Sequence, residues 1–358
     1  MLERFAGWFE RRIKLVRVIR DDFGKPEPLG IGWLHCFGSS LFTLLLVQIV
    51  TGILLALNYS PASDLAWESV SYISYTVPFG GFIRGVHHWT ASVLVVVLAL
   101  HVMRVFFWGA YKFPRETTWL IGVCLGLLIL GFAFTGYLLP WDQKAYWGTE
   151  VGTRIAGSVP LLGPAIHSVM LGGPEMGAAT LTRFYGVHTQ LFPLLLVALM
   201  GLHLFLVRYQ GITEHWQLKG DNPRNPFWPT QTARDVTLAL LAFAIAVVLA
   251  IKLGAPLDNR ADPTATNYVP RPEWYFLCLF QFLRYFEGSL EPVGAIFIPA
   301  LCVLVVFLIP FLDRGPGRGP FQRKWFSIIG VLVISALIYL TISGAMFSGP
   351  VAGVVTKH

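Results

Sequence analysis

The sequence predicts an all-α polytopic membrane protein of seven spans, a four-helix bundle followed by three further transmembrane helices. Three observations carry this. Of the 358 residues, 55% are hydrophobic and only 13% are charged, whereas a soluble domain carries about a quarter charged residues. The apolar residues fall in blocks close to the roughly 20 that a helix needs to cross a bilayer. Four of the nine histidines, His87, His101, His188 and His203, lie in or at the edge of such blocks at matched intervals.

The elements follow in order. Residues 1–32 form a basic amphipathic segment without the short apolar core and small-residue cleavage site of a signal peptide. Spans are expected at 33–58, 88–109, 119–139 and 187–208, then at 236–253, 293–312 and 325–342. A polar, proline-rich stretch at 219–231 separates the first four from the last three. The predicted domains are therefore the segment 1–32, a four-span domain 33–218 and a three-span domain 219–358. Most of the 27 lysines and arginines fall in the N-terminal segment and in the second, fourth and sixth loops. The positive-inside rule then puts the N-terminus in the cytoplasm. The net charge of +7 reads as loops facing anionic lipid and not as a nucleic-acid surface. Two loops on the outer face, 140–186 and 254–290, are too long to be simple connectors.

In this topology the second and fourth spans run in the same direction. His87 and His188 share an outer level, and His101 and His203 share an inner one. The intervals of 14 and 15 residues place the two levels roughly 21–23 Å apart and return each pair to nearly one helix face. Buried imidazoles in hydrocarbon are costly unless paired or ligating. Two helices side by side would thus hold two stacked bis-histidine haems. His88 points about 100° away from His87 and reads as a rim residue. Gly38 and Gly52 in the first span, and Gly122 and Gly136 in the third, repeat the 14-residue interval. Backbone without a Cβ lets a flat macrocycle wedge between helices. Arg84, Arg104 and Arg208 lie near the two levels, placed to pair with haem propionates or to snorkel to the interface. Cys36, Cys124, Cys278 and Cys302 form no CxxC pair, which excludes a zinc ribbon, an iron–sulfur framework and CxxCH haem attachment.

The stretches VQIVTG, RGVHHWTAS, LHVMRV, GYLLPWDQKAYWG, TLTRFYGVHT and PEWYF, with the histidine register, resemble cytochrome b of the quinol-oxidising Rieske/cytochrome b complexes, the bc1/b6f family. The likeness runs over nearly the whole chain. The 15-residue step, PWDQ, TLTRFY and VRYQGI are similar to the chloroplast-type branch, here with its separate three-span subunit fused on, as in a bacterial version. The resemblance implies an electron-transfer subunit of a bacterial cytoplasmic membrane. Quinol would be oxidised on the outer side with electron bifurcation, and quinone reduced on the cytoplasmic side. It implies two b haems, the outer of low and the inner of high potential, and leaves two readings of Cys36, a third, c-type haem joined covalently there or plain packing. Glu273 would accept a quinol proton and Tyr275 would shape that pocket. Asp21, Asp22, Lys25 and Asp235 are the candidates for quinone reduction, with Arg208 beside them. The implied partners are a Rieske iron–sulfur protein, a c-type cytochrome, the quinone pool and a second copy of the chain. Two other classes share some of these features: a dihaem membrane anchor of a dehydrogenase or hydrogenase, and a transporter using histidines as a proton relay.

Overall fold

Helices dominate because a chain crossing hydrocarbon must satisfy its backbone N–H and C=O groups within itself. The computed structural model describes residues 30–213, 215–216, 227–265, 268–269 and 271–347, together with Gly7, Trp8 and Glu10. Asp21, Asp22, Lys25 and nearly all of the 1–32 segment lie outside the described residues. Seven helical runs among those described are long and apolar enough to span a membrane. The helices are α1 Phe37–Ala56, α2 Ala66–Tyr75, α3 Gly80–Phe107, α4 Glu116–Tyr137, α5 Gln143–Gly157 and α6 Gly163–Leu171. They continue with α7 Ala178–Gly186, α8 Phe192–Gln210, α9 Thr232–Leu253, α10 Leu277–Leu283, α11 Ile298–Leu312 and α12 Lys324–Met346. Wide helical turns with i→i+5 bonding, Val187–Leu191 and Val293–Phe297, run directly into α8 and α11.

Several spans outrun their apolar blocks. α3 starts at Gly80, eight residues before the expected 88, and the fourth run begins at Ala178 in place of 187. Backbone hydrogen bonding carries these helices past the apolar block into the outer loops. His87 therefore lies well inside α3 and not at its edge.

α1 packs along α3, and α9 packs against both; α4 packs on α8 and α11, and α12 on α10. α9 joins the front bundle through Ala239, Ala242, Ala246 and Ala250, all buried. That small-residue stripe at three- and four-residue steps lets backbones close together without bulky side chains. The main core contains Leu44 and Leu45 of α1, Leu94 of α3, Leu128 of α4 and Leu196 of α8. Each falls between the outer and inner site positions of its own helix. The core thus fills the middle of the bundle and leaves the two ends to the histidines.

A second cluster, including Leu138, Trp141, Tyr146, Leu181 and Phe184, caps the outer end beneath α5 and α6. The two long outer loops are stitched together at Asp142, which forms an antiparallel bridge with Arg260. Gln143 N–H donates to Asn259 O at 2.9 Å and Ala261 N–H to Trp141 O at 3.0 Å.

Candidate haem and quinone sites

At the outer level a glycine on one helix faces a histidine on its neighbour. A Cβ on Gly52 would lie 3.3 Å from Cε1 of His87, and one on Gly136 only 2.6 Å from Cε1 of His188. The two imidazoles are within electrostatic range of each other. Thr51, next to Gly52, lies 2.9 Å from His87 Nδ1; Thr135, next to Gly136, lies 3.1 Å from His188 Nδ1. Both hydroxyls donate back to their own helix, Thr51 to Val47 O at 2.7 Å and Thr135 to Gly131 O at 2.9 Å. Their protons are used, so each accepts from Nδ1–H. That fixes the tautomer and leaves Nε2 of both rings with its lone pair free, the state a metal ligand needs. Phe132 meets the His188 ring edge-on at 5.4 Å, and Gln48 Nε2 donates to His87 O at 2.9 Å.

The inner level repeats the pattern. A Cβ on Gly38 would sit 3.5 Å from Cε1 of His101, and one on Gly122 3.2 Å from Cε1 of His203, and these two imidazoles are again mutually close. Among the described residues no threonine hydroxyl bonds these rings, and Nδ1 of His203 makes no well-formed hydrogen bond. Arg104, one turn beyond His101, buries Nε and Nη2 without any hydrogen bond. An unpaired buried guanidinium is costly and calls for an anion. Arg84 is committed elsewhere: it donates to Ser74 Oγ, Ala255 O and Pro256 O at 3.1, 2.9 and 2.5 Å. Arg208 sits in the last turn of α8.

The step from His188 to His203 has one residue more than that from His87 to His101, yet both pairs keep one face. The wide turn Val187–Leu191 explains this. Phe192 N–H bonds to Val187 O, five residues back, and so absorbs the extra residue. Pro193 follows; lacking an N–H, it cannot serve the carbonyl four residues before it.

In the outer loops, Glu273 is brought against α5. Lys144 Nζ lies 2.7 Å from Glu273 Oε1. Trp274 Nε1 reaches Ser92 Oγ of α3 at 3.4 Å. Burial, with the Glu273 charge beside it, pushes the Tyr275 phenol above its ordinary value, so it stays a neutral donor. Asp142 caps α5, accepting from Ala145 N–H at 2.8 Å and from Asp258 N–H at 3.0 Å.

Comparison with known proteins settles the family. Residues 23–211 match the family described as cytochrome b/b6/petB, and residues 260–357 match cytochrome b (C-terminal)/b6/petD. The chain is 34% identical to a cytochrome b of Cereibacter sphaeroides, over 94% of this chain and 82% of that one. It is 43% identical to the menaquinol:cytochrome c reductase cytochrome b subunit of Geobacillus thermodenitrificans, over 60% of this chain and 99% of that one. A chain of a solved hyperthermophilic respiratory complex III superposes with a TM-score of 0.86 at 29% identity, covering 96% of this chain and 92% of that one. The chain belongs to the cytochrome b family. As a cytochrome b it is the electron-transfer subunit of a quinol:cytochrome c reductase, a multi-pass membrane protein of a bacterial respiratory chain. The family implies two b haems, quinone sites, and Rieske and cytochrome c partners.

The residues present fit two b haems: paired imidazoles, glycines where a ring edge must pass, and at the inner level an unanswered guanidinium. Cys36 does not fit a third. Its side chain is fully buried, and its sulfur accepts from Gln231 Nε2 at 3.1 Å. Burial pushes the thiol up to about 12. A thioether would require the Gln231 amide to leave. Around it, Asp235 Oδ1 accepts from Ser39 Oγ at 2.8 Å. His35 takes Gly32 N–H on Nδ1 at 3.2 Å, so the hydrogen on its buried, unpartnered Nε2 is free to donate. Burial, and then the Arg104 charge, push His35 down to about 3, which keeps it neutral. The threonines, Lys144 and His35 escaped the sequence reading. The repeated Thr-Gly pair was the available signal for the first two residues.

Proposed function

We propose that this cytochrome b oxidises quinol beside Glu273 on the outer side and reduces quinone on the cytoplasmic side, with its N-terminus cytoplasmic. The observation that carries this reading is the repeated glycine-facing-histidine arrangement at two depths of one bundle. His87 and His188 would hold the outer iron, and His101 and His203 the inner one. When bound, the haems supply one-electron relays at both levels, of low potential outside and high potential inside by family resemblance. The protein's part is to orient four imidazoles, to answer a propionate at Arg104, and to keep water out with the leucine core between the levels.

Glu273 accepts the quinol hydroxyl proton while Tyr275 walls the pocket. On the cytoplasmic side, Asp235 and the His35 Nε2–H supply an acid and a donor for the quinone oxygens. The relative from Geobacillus thermodenitrificans, named for menaquinol, makes menaquinol the first quinol to assay. The two halves divide at 218/219, and the working unit is a homodimer carrying the Rieske and c-type cytochrome subunits. A third haem on Cys36 is the part of the family resemblance the packing favours least; haem retained by the denatured chain would reinstate it.

The deciding experiment is Glu273→Gln in the assembled complex. Quinol turnover is expected to fall by about 10²–10⁴-fold with the reduced-minus-oxidised haem spectrum unchanged. Undiminished turnover would sink the assignment.

A further inference from the structure

Lys144 is a charged group in direct contact with the proposed base. Its ammonium contacts Glu273 Oε1 at 2.7 Å, from a position 129 residues earlier in the chain. The two side chains are 31% and 18% exposed, so the pair is only partly screened. The segments carrying the two members are tied to one tyrosine. Asp142 caps the helix that carries Lys144. The hydroxyl of Tyr137 donates to Lys144 O at 2.9 Å and reaches Arg271 O at 3.3 Å. Lys144 Nζ also stands 5.8 Å from the centroid of the Tyr137 ring, within cation–π reach. The ammonium therefore keeps a cation–π partner when the carboxylate lets go. The groups facing Glu273 are Lys144 from α5, His88 from α3, Tyr137 from α4, and Tyr275 on its own segment. Lys144 is the ammonium among them.

We propose that Lys144 is a positioning residue of quinol oxidation: it holds the Glu273 carboxylate aimed between turnovers, and releases it as the quinol proton arrives. The proposal rests on Glu273 being the proton acceptor. In the step, the quinol O–H bond breaks, its proton bonds to a carboxylate oxygen of Glu273, and the electron pair stays on the quinol oxygen. The ion pair becomes a neutral carboxyl and an ammonium over the Tyr137 ring.

The test is the pH profile of kcat/KM for quinol in the whole complex, for Lys144→Met and Lys144→Arg, with the haem spectrum monitoring assembly. Lys144→Met removes the positive charge that contacts the carboxylate at 2.7 Å and is expected to cost turnover chiefly on the acid limb, where the proton acceptor is most easily lost. At the acid end the loss should be about tenfold; the alkaline plateau should stay within about threefold, and Lys144→Arg should restore the acid limb. A uniform loss at every pH would make Lys144 a mere loop staple, and an unchanged acid limb would equally overturn the proposal. Should the Met variant fail to assemble, Lys144→Gln must give the same acid-limb loss or the proposal falls. Glu273→Gln run in parallel separates the two failures. If it abolishes turnover while the Lys144 variants leave the acid limb unchanged, Lys144 alone is misassigned; if turnover persists, the proton acceptor itself is wrong.

Discussion

Gly136 carries the tightest approach in the haem region. An added Cβ would stand 2.6 Å from His188, closer than real carbon contacts allow, and the ring cannot retreat because Phe132 closes its edge. Gly136→Ala should therefore displace His188 and lower the haem content from two per chain to one, read by pyridine haemochromogen. Gly38→Ala meets His101 at 3.5 Å, an ordinary contact, and should leave the inner ligand in place and lower the haem content less than Gly136→Ala does. That contrast distinguishes a ligand-bearing face from general small-residue packing. Thr51→Val keeps the shape but removes the acceptor for His87 Nδ1–H. Loss of such a supporting bond costs roughly 10–100-fold in metal affinity, and haem titration should show it at the outer level only. The histidines and glycines were legible because they are conspicuous inside apolar runs. The threonines were not, since a membrane threonine ordinarily bonds back to its own helix, as Thr43 does to Ser39 O at 3.1 Å.

Among the elements, the fourth span shows what a linear reading misses. Counting residues gives 14 on one helix and 15 on the other, and an ideal helix would turn the second histidine by about 100° for the extra one. The wide turn Val187–Leu191 removes that mismatch, but its cause is local hydrogen bonding near Pro193, which hydropathy does not register. The same arrangement recurs at Val293–Phe297, two residues before Pro299. The number of spans and their order were legible because hydrocarbon imposes length and apolarity. Their outer ends were not, because helical bonding persists past the apolar block. Inserting one alanine after Met200 adds a residue that no second wide turn absorbs. His203 should rotate away from His101, and the inner haem should be lost while the outer one remains. Two haems with unshifted spectra would show that the register is not what holds the inner site.

Across the whole molecule, front and rear halves are joined at both ends. The outer joint runs through Asp142 and residues 258–261, as described above. The other is a buried charge cluster. Asp313 accepts from Lys112 Nζ at 2.8 Å, from Arg323 Nη1 at 2.7 Å and from Tyr111 Oη at 2.6 Å, while Lys112 also binds Gly315 O and Gly317 O at 2.8 and 2.7 Å. Lys112, Asp313 and Arg323 are 7%, 5% and 5% exposed. The sequence showed these only as loop charges obeying the positive-inside rule; a lone aspartate in a basic loop was the unread sign. Removing one member of a buried pair typically costs about 3–5 kcal/mol, because its partners keep their charge without compensation. Asp313→Asn leaves two cations behind and should lower the melting temperature of the detergent-solubilised protein by several degrees at neutral pH. The pH dependence has a definite sign. Burial pushes the Asp313 carboxyl up, but hydrogen bonds from Lys112, Tyr111 and Arg323 outweigh it and hold it below its ordinary value. A depressed carboxyl stabilises above the unfolded pKa near ~3.9 and loses that contribution as pH falls through the folded value. The gap between wild type and Asp313→Asn should therefore be full at neutral pH and shrink on strong acidification. Identical melting at pH 7 would show that this cluster does not clasp the two halves.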